Sequence, residues 1–460
     1  MPLDIQRVPE DIRNTIFQHV IDDEAASLYS TNMREIRMPK ATTTLALVCR
    51  QWQRLVYGTP ALWAVLVVNI TERPWVLEAR CARVARQAKQ APLDVLVSCV
   101  HPSDLYDNYQ VDAEIPREIT AFKNLFTSDV MIQRLRVHVS NYKVYKSWQD
   151  AGIFASKRIQ DISYTFLRRS TDFAPSLPLD SEHQAHFMVS MSLKRLHLGD
   201  LGLIHYLNRG ELPPMPSLEV LTVGSQQGYN CSPVVLNSIL KQCPNLVKLD
   251  YSALRLTNER TTSTEFIQLP KLTELITVVS DTHLAPFKHM ELSVPSMTSF
   301  TALEWRNDGI EAVRDLFTLS ERLQTIALYI DDASDTKSAL RVAHMLRNLT
   351  LFCRSTSCGS QLLILATTGG PTIWPYLESI KLDMPSISPR TFSQLVRAYF
   401  LPWKEGRTQS GRVPVKLLRL RISEEIFSNN LMQVKMTTEW KSAKVTSCAG
   451  GRYELYWPNR

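Results

Sequence analysis

The feature that most limits what this chain can fold into is a short pattern, x-Φ-x-x-Φ-x-Φ with Φ apolar, that keeps returning along it. The pattern reads SLKRLHL from Ser192, SLEVLTV from Ser217, NLVKLDY from Asn245 and KLTELIT from Lys271. It continues as SMTSFTA from Ser296, RLQTIAL from Arg322, YLESIKL from Tyr376 and PVKLLRL from Pro414. Successive starts differ by 25, 28, 26, 25, 26, 54 and 38 residues. The gap of 54 is close to two periods and predicts one degenerate copy within 345–370, with the strand-like run QLLILAT. Fainter copies are MIQRLRV from Met131, RIQDISY from Arg158 and, fainter still, PLDVLVS from Pro92. One such unit cannot bury its apolar face alone, but stacked neighbours can, so a fixed period of this length predicts a solenoid.

The spacing and the pattern together read as a leucine-rich repeat, an α/β architecture with a parallel sheet on its concave face. Each copy would give one short strand, with residues such as Leu193, Leu196 and Leu198 pointing into the core. Helical stretches are expected between strands, for example over 232–246 (SPVVLNSILKQCPNL) and 334–349 (SDTKSALRVAHMLRNL). In the first, Val235, Leu236, Ile239 and Leu240 fall on one face, Cys243-Pro244 closes the helix and Leu246 begins the next strand. An irregular α/β domain stays open as the alternative, because the copies are imperfect. Segment 425–460, with Trp440, Tyr453, Tyr456 and Trp457, is expected to cover the end of the last repeat, since solenoids need covered ends.

Composition narrows the function classes. Of 460 residues, 44% are hydrophobic and 21% charged, which suits a folded chain with a large core. The net charge of +7, from 52 Lys+Arg against 45 Asp+Glu, is mild over this length. No block of five like charges and no basic run with interleaved aromatics occurs, so nucleic acid is not expected as the ligand. The eight cysteines form no C-x-x-C pair and sit mostly in apolar runs, the usage of reduced thiols, so a cytoplasmic or nuclear protein is expected. MPLDIQRVPEDIRNTIFQ lacks a signal-peptide apolar core and no apolar run nears eighteen residues, so a soluble chain with no membrane association is expected.

The N-terminus is different in kind. Residues 8–21 (VPEDIRNTIFQHVI) carry helix signals: Pro9 suits the first helical position, and Glu10 and Asp11 sit where the helix dipole favours anions. Val8, Ile12, Ile16 and Val20 recur every four residues as one apolar stripe. A second helix is predicted over about 44–57, with Leu45, Val48, Cys49, Trp52, Leu55 and Val56 on one face and Leu47 at its edge. Gly58 would end it, Thr59 would cap the next turn and Pro60 would begin it, followed by Ala61, Leu62 and Trp63. Three short helices in some sixty residues cannot bury both tryptophans and all these aliphatics among themselves. Either the unit packs on the rest of the chain or part of its apolar face belongs to a partner.

The sequence V-P-E-D-I-x-x-x-I-F-x-x-V, then L-x-x-V-C-R-x-W-x-x-L, then P-x-L-W resembles an F-box. That resemblance implies a three-helix unit over 1–65 that docks a Skp-type adaptor and, through it, a cullin ubiquitin ligase. By the same resemblance Val8, Pro9, Ile12, Ile16, Leu45, Val48, Trp52, Leu62 and Trp63 would form or support the adaptor interface. Two departures stand out. Val8 replaces the usual leading leucine, and the polar stretch 22–42, expected as a loop, separates the motif's halves. Such an expanded first loop is similar to F-box chains common in mushroom-forming fungi. The resemblance covers about 60 of 460 residues. The Cys-Pro-x-Leu closure at 243–246 is likewise similar to F-box leucine-rich-repeat proteins. Residues 66–460 are then the solenoid: a lead-in over 66–130, repeats over 131–424 and a cap over 425–460. In the lead-in, RPWVLEARCARVARQAKQAPLDVLVS (73–98) is predicted as a helix with a solvated basic face, then a strand, with no flexible linker after Trp63.

No residue set stands out as catalytic, and no cofactor or metal is expected. His183 and His186 lie one turn apart but lack further ligands at matching spacing. Asp331, Asp332 and Asp335 lack the Gly and distal Glu of a cation loop. Cys353 and Cys358 are not expected to pair in a reducing compartment. Phosphate-loop, dinucleotide and nucleophile-elbow motifs are missing from the sequence. The expected function is therefore a non-enzymatic substrate receptor of a ubiquitin ligase. A non-degradative interaction scaffold and an enzyme with an unrecognised site remain the alternatives. Strand positions between the inward Φ residues would meet the target: Arg134, Arg136, His138, Arg195, His197, Lys248, Lys381, Arg419 and Arg421, with Asp161, Asp250, Glu274 and Asp383 as acidic counterparts. Such arginines suit an acidic or phosphorylated protein segment.

Overall fold

The computed structural model describes residues 8–30, 40–69, 73–99, 131–139, 159–166, 192–198, 214–224, 230–231, 233–256, 267–280, 292–305, 310–330, 345–353, 376–383, 417–423, 444–448 and 452–458. The chain divides into two compact units. One comprises Met1–Leu218 with Ser225–Gln227, the other Glu219–Gly224 with Gly228–Arg460. Both are built on parallel strands laid side by side in sequence order, the architecture of an α/β solenoid.

The first unit opens with helix α1 (Glu10–Ser30), α2 (Ala41–Val48), α3 (Arg50–Gly58) and a 3-10 turn over Pro60–Trp63. Pro9 precedes α1 rather than starting it, and its carbonyl accepts from the Arg13 amide at 3.0 Å. The stretch expected as a loop from residue 22 is helical through Ser30, because DDEAASLYS contains good helix formers and no Gly or Pro to stop it. The extension has a job. The Glu24 carboxylate accepts from the amides of Lys40 and Ala41, both at 2.8 Å, and so caps α2 from sixteen residues upstream.

The single helix predicted over 44–57 is two helices, broken at Cys49, whose backbone is extended (φ −160°, ψ 167°). The Cys49 thiol stands in for a capping hydroxyl and accepts from the Trp52 amide at 3.4 Å. Helical periodicity alone could not register this break, because the apolar spacing runs straight across it. Gly58 ends α3 as its sequence predicts, and Pro60 opens the 3-10 turn. Thr59 caps through its backbone: its carbonyl accepts from Leu62 at 3.1 Å, while no side-chain cap forms.

Strand β1 (Val65–Asn69) begins two residues after Trp63, and α4 (Pro74–Ala88) leads to β2 (Leu93–Cys99). Leu77, Cys81, Val84 and Ala88 of α4 are buried, while Arg73, Arg83, Arg86 and Lys89 are exposed. The Arg80 guanidinium reaches the Val67 carbonyl at 3.2 Å. Trp75 stands apart from the buried face, 64% exposed. Strands β3 (Ile132–Val139), β4 (Asp161–Phe166) and β5 (Arg195–Leu198) follow, in the order β1-β2-β3-β4-β5. β2, β3 and β4 are the strands of the three faint copies and β5 is that of the first clear one.

The second unit begins with β6 (Val220–Gly224), then a two-residue strand β7 (Asn230–Cys231), helix α5 (Pro233–Lys241), β8 (Lys248–Ala253) and β9 (Arg255–Leu256). Next come β10 (Ile267–Gln268), β11 (Glu274–Val279), β12 (Leu292–Ser293) and β13 (Ser299–Trp305). Helix α6 (Ile310–Leu319) precedes β14 (Thr325–Ile330), β15 (Asn348–Cys353), β16 (Ser379–Asp383) and β17 (Leu417–Ser423). The main strands run in parallel in the order β6-β8-β11-β13-β14-β15-β16-β17. β7 pairs with β9 and β10 with β12 beside them.

The repeat appears here as a repeated set of hydrogen bonds. A tight turn sets the first Φ residue of each copy: Leu246 donates to Cys243, Leu272 to Leu269, Met297 to Val294 and Leu323 to Ser320, all at 3.0–3.2 Å. The next strand is then hung on the previous one, as Ser299 donates to Thr273, Thr325 to Thr298, Asn348 to Gln324 and Ser379 to Arg347, each at 2.9 Å. Leu249, Leu275, Phe300, Ile326, Leu349 and Ile380 occupy one register line and are all buried. Leu236, Ile239 and Leu240 of α5 and Val313, Leu316 and Phe317 of α6 close over the core, with Phe317 edge-on to Phe300 at 5.0 Å. Cys243 lies in this core, where burial pushes its thiol up to about 12 and the sulfur donates to the Ile239 carbonyl at 3.2 Å.

The copy predicted in the gap of 54 is Met345–Leu351 (MLRNLTL), giving β15, rather than the run QLLILAT. It was hidden because 334–349 has helical periodicity and absorbed the strand's first residues; QLLILAT lies outside the described residues. After β17 the direction changes. β18 (Lys444–Cys448) and β19 (Arg452–Pro458) form an antiparallel pair, and β19 runs antiparallel to β17 from Leu417↔Pro458 to Ser423↔Arg452. The edge of the parallel sheet at β17 is thereby paired by the segment expected to cover it.

Candidate functional site

Two surfaces carry the residues that the sequence singles out. The first lies on the N-terminal helices. Phe17 and Ile21 of α1 are buried, each 1% exposed, as are Leu55, Val56 and Leu62 on the following elements. Trp52 is partly buried beside Phe17, with ring centres 4.6 Å apart. Trp63 is 6% exposed; its Nε1 donates to the Val56 carbonyl at 2.9 Å and its ring lies 5.2 Å from Tyr57. The chain therefore seals Trp63 itself, and Leu45 and Leu62 belong to the same core.

Apart from Tyr57, 45% exposed, what remains open is aliphatic. Ile12 is 49%, Ile16 41% and Val20 43% exposed, the stripe at four-residue spacing along α1. Leu47 and Val48, the last two residues of α2 before the break at Cys49, are 83% and 57% exposed. Pro9 is exposed and Val8 partly buried at the start of the same helix. Of the nine residues expected at the adaptor interface, Pro9, Ile12, Ile16 and Val48 are thus at the surface. Val8 and Trp52 lie at its margin, and Leu45, Leu62 and Trp63 support it from beneath. Sequence reasoning left Val20 and Leu47 out of that set, although Val20 continues the α1 stripe and Leu47 neighbours Val48 on α2. Beneath the stripe, Arg13 is 7% exposed, and its Nε and Nη1 have no hydrogen-bond partner.

The second surface is the outward face of the strands. In the first unit, register sets Asp94, Arg134, Asp161 and Arg195 in one row across β2–β5. Arg136, Ser163 and His197 form the next row across β3–β5, and His138 follows Arg136 along β3. Leu135, Val137, Ile162, Leu196 and Leu198 alternate with them and are buried. Arg134 is shared between Asp94 at 3.7 Å and Asp161 at 4.0 Å. Burial, with Arg136 and His197 close by, lowers His138 to about 4, so it is a neutral imidazole at physiological pH. At β1 and β2 the equivalent positions Val67, Leu96 and Ser98 are buried, so the open face starts at β3.

In the second unit the corresponding row is largely satisfied within itself. Lys248 pairs with Glu274 at 2.6 Å, Asn348 donates to the Thr325 hydroxyl at 3.3 Å and Ser379 to Asn348 at 2.7 Å. Asp250 is engaged by the amide and hydroxyl of Ser252 at 3.1 and 2.8 Å. Tyr329 and Phe352 stack in parallel at 4.1 Å across β14 and β15. On β17, Arg419 is in register with Lys381 and Arg421 with Asp383. Arg134, Arg136, Arg195 and His197 thus come together within the first unit, while Lys248, Arg419 and Arg421 belong to the second.

His183, His186, Asp331, Asp332, Asp335 and Cys358 lie outside the described residues. Among the described residues no group of three or more His, Cys, Asp or Glu is placed to hold a metal. No described helix is long and apolar enough to cross a membrane. Neither a scan against protein-family models nor a search of the curated proteins finds a match to this chain.

Proposed function

We propose that this chain is the substrate-recognition subunit of a Skp-cullin-F-box type ubiquitin ligase. The helices of residues 1–65 dock the adaptor, and the leucine-rich-repeat solenoid holds a target protein in the cytoplasm or nucleus. The observation that carries this reading is the exposure of Ile12, Ile16 and Val20 on α1 and of Leu47 and Val48 on α2, beside a core that buries Phe17, Ile21, Leu45, Leu62 and Trp63. Exposed aliphatics scattered singly need no explanation, but five in one short helical unit read as an interface. Covering each would contribute on the order of 1 kcal/mol, enough together to specify a helical partner. The chain would perform no bond chemistry itself; its contribution is to hold a target near the transfer machinery.

The test is co-purification with a Skp-type adaptor. Pro9→Ala with Ile12→Glu should abolish capture while the circular dichroism of the solenoid is unchanged. Undiminished capture by that double variant would remove the interface assignment. Ubiquitin transfer to a co-purifying protein by the assembled complex separates a ligase subunit from a scaffold.

A further inference from the structure

We propose that the amino end of α1 is a carboxylate-binding site built on the buried guanidinium of Arg13, and that the docked adaptor supplies the carboxylate from an Asp or Glu side chain. This rests on reading α1 and α2 as the adaptor interface, and it adds one fixed ionic contact to the apolar contacts of that surface.

The case begins with a buried charge. Arg13, Phe17 and Ile21 follow one another at four-residue spacing on α1 and are all buried, at 7%, 1% and 1% exposure. A row that served only the core would be apolar throughout, yet this one begins with a guanidinium. Nε and Nη1 of Arg13 are buried and donate to no acceptor. Glu10 and Asp11, its nearest carboxylates along the helix, are exposed, and among the described residues no ion pair joins either to it. A guanidinium keeps its charge on burial, so only an anion relieves the cost of taking it out of water.

The surroundings fit an anion of one negative charge. Helical side chains lean toward the amino end, which sets the Arg13 head group over the first turn of α1. The Arg13 amide makes the first bond into the helix, to the Pro9 carbonyl at 3.0 Å. The amides of Glu10, Asp11 and Ile12 come before it and make no hydrogen bond among the described residues. These amides and the helix dipole favour an anion at this end and disfavour an unpaired cation. Glu10 and Asp11 share the turn, so a phosphoryl group near −2 would be repelled where a single carboxylate is held. Pro9 is exposed, and Ile12 and Ile16 are 49% and 41% exposed on the adjoining stripe. A partner laid over these three side chains would shut water out from Arg13, so the partner itself must bring the carboxylate.

The experiment uses the full chain and a purified Skp-type adaptor. Hydrogen exchange of α1 is followed in the free chain, and adaptor affinity by calorimetry. With Arg13→Met, which removes the charge and keeps an apolar stem, exchange over 10–30 in the free chain should slow about fivefold or more, because an unpaired charge leaves the interior. The same variant should bind the adaptor about thirtyfold more weakly or worse, because the adaptor's carboxylate is then buried without a partner. Changing the adaptor's Asp and Glu residues singly to Asn and Gln should find one whose loss matches this and adds nothing to that of Arg13→Met. Arg83→Gln, which removes an exposed charge of α4, should leave both measurements unchanged. Faster exchange or an unfolded α1 in Arg13→Met, unchanged affinity, or no such adaptor residue would overturn the proposal. Affinity lost in Ile12→Glu but kept in Arg13→Met would overturn this proposal alone and leave the helical interface standing. No adaptor binding by the wild-type chain would overturn the interface reading, and this proposal with it.

Discussion

Acidification should open the β3 region through one residue. His138 titrates at the ordinary value of 6.5 when unfolded and at about 4 when folded. Below pH 6.5 the unfolded state takes up the proton first, so stability falls as pH drops and stops falling below the folded value. Linkage between these two values gives a loss of about 2 kcal/mol at pH 5 and about 3 kcal/mol once both states are protonated. His138→Asn removes this titration and keeps a polar side chain. Hydrogen exchange of a peptide covering 131–139, read by mass spectrometry, reports local opening around Leu135 and Val137. Comparing wild type and His138→Asn at the same pH cancels the intrinsic pH dependence of exchange. Between pH 7.5 and 5 the wild type should lose about 2 kcal/mol more protection than the variant. Equal losses would refute the reasoning, because they would mean that His138 has the same proton affinity folded and unfolded.

Other outcomes follow from single contacts. Trp63→Ala should cost about 3–5 kcal/mol in urea unfolding, because it empties a core site, whereas Val48→Ala should stay within about 0.5 kcal/mol. Glu24→Gln should destabilise the helical unit by about 1–2 kcal/mol, seen as loss of protection in α2, because the charged cap on Lys40 and Ala41 is weakened. Gly224→Ala places a methyl 2.9 Å from the Ala253 Cβ where the β6–β8 register shifts. It should cost about 1–3 kcal/mol, and Ala253→Gly in the same chain should recover most of that.

The strands were legible because an apolar period of about 26 leaves little choice: Leu193, Leu196 and Leu198 must point one way and Arg195 and His197 the other. The copy at Met345 was not, since its first residues also satisfy a helix and a short apolar run belongs to either period. The break at Cys49 was illegible for a related reason. Nothing in the spacing of Leu45, Val48 and Trp52 marks it, and a thiol is an unusual helix cap. On either side of that break Leu47 and Val48 are exposed while Leu45, Leu55 and Val56 are in the core. The sequence placed the candidate charges on one strand face but could not tell which were already paired. Long-range register decides that: it puts Arg134 between two aspartates and Lys248 against Glu274.

The central claim is that the exposed aliphatics of α1 and α2 form a protein-docking surface. The most direct measurement is hydrogen exchange across 10–63 with and without a Skp-type adaptor. The account predicts new protection at Ile12–Val20 and at Leu47–Val48, little change at Leu62–Trp63, which the chain already covers, and loss of all of it in Val48→Glu. Unchanged exchange along α1 in the presence of adaptor, or protection that survives Val48→Glu and Ile12→Glu, would contradict it.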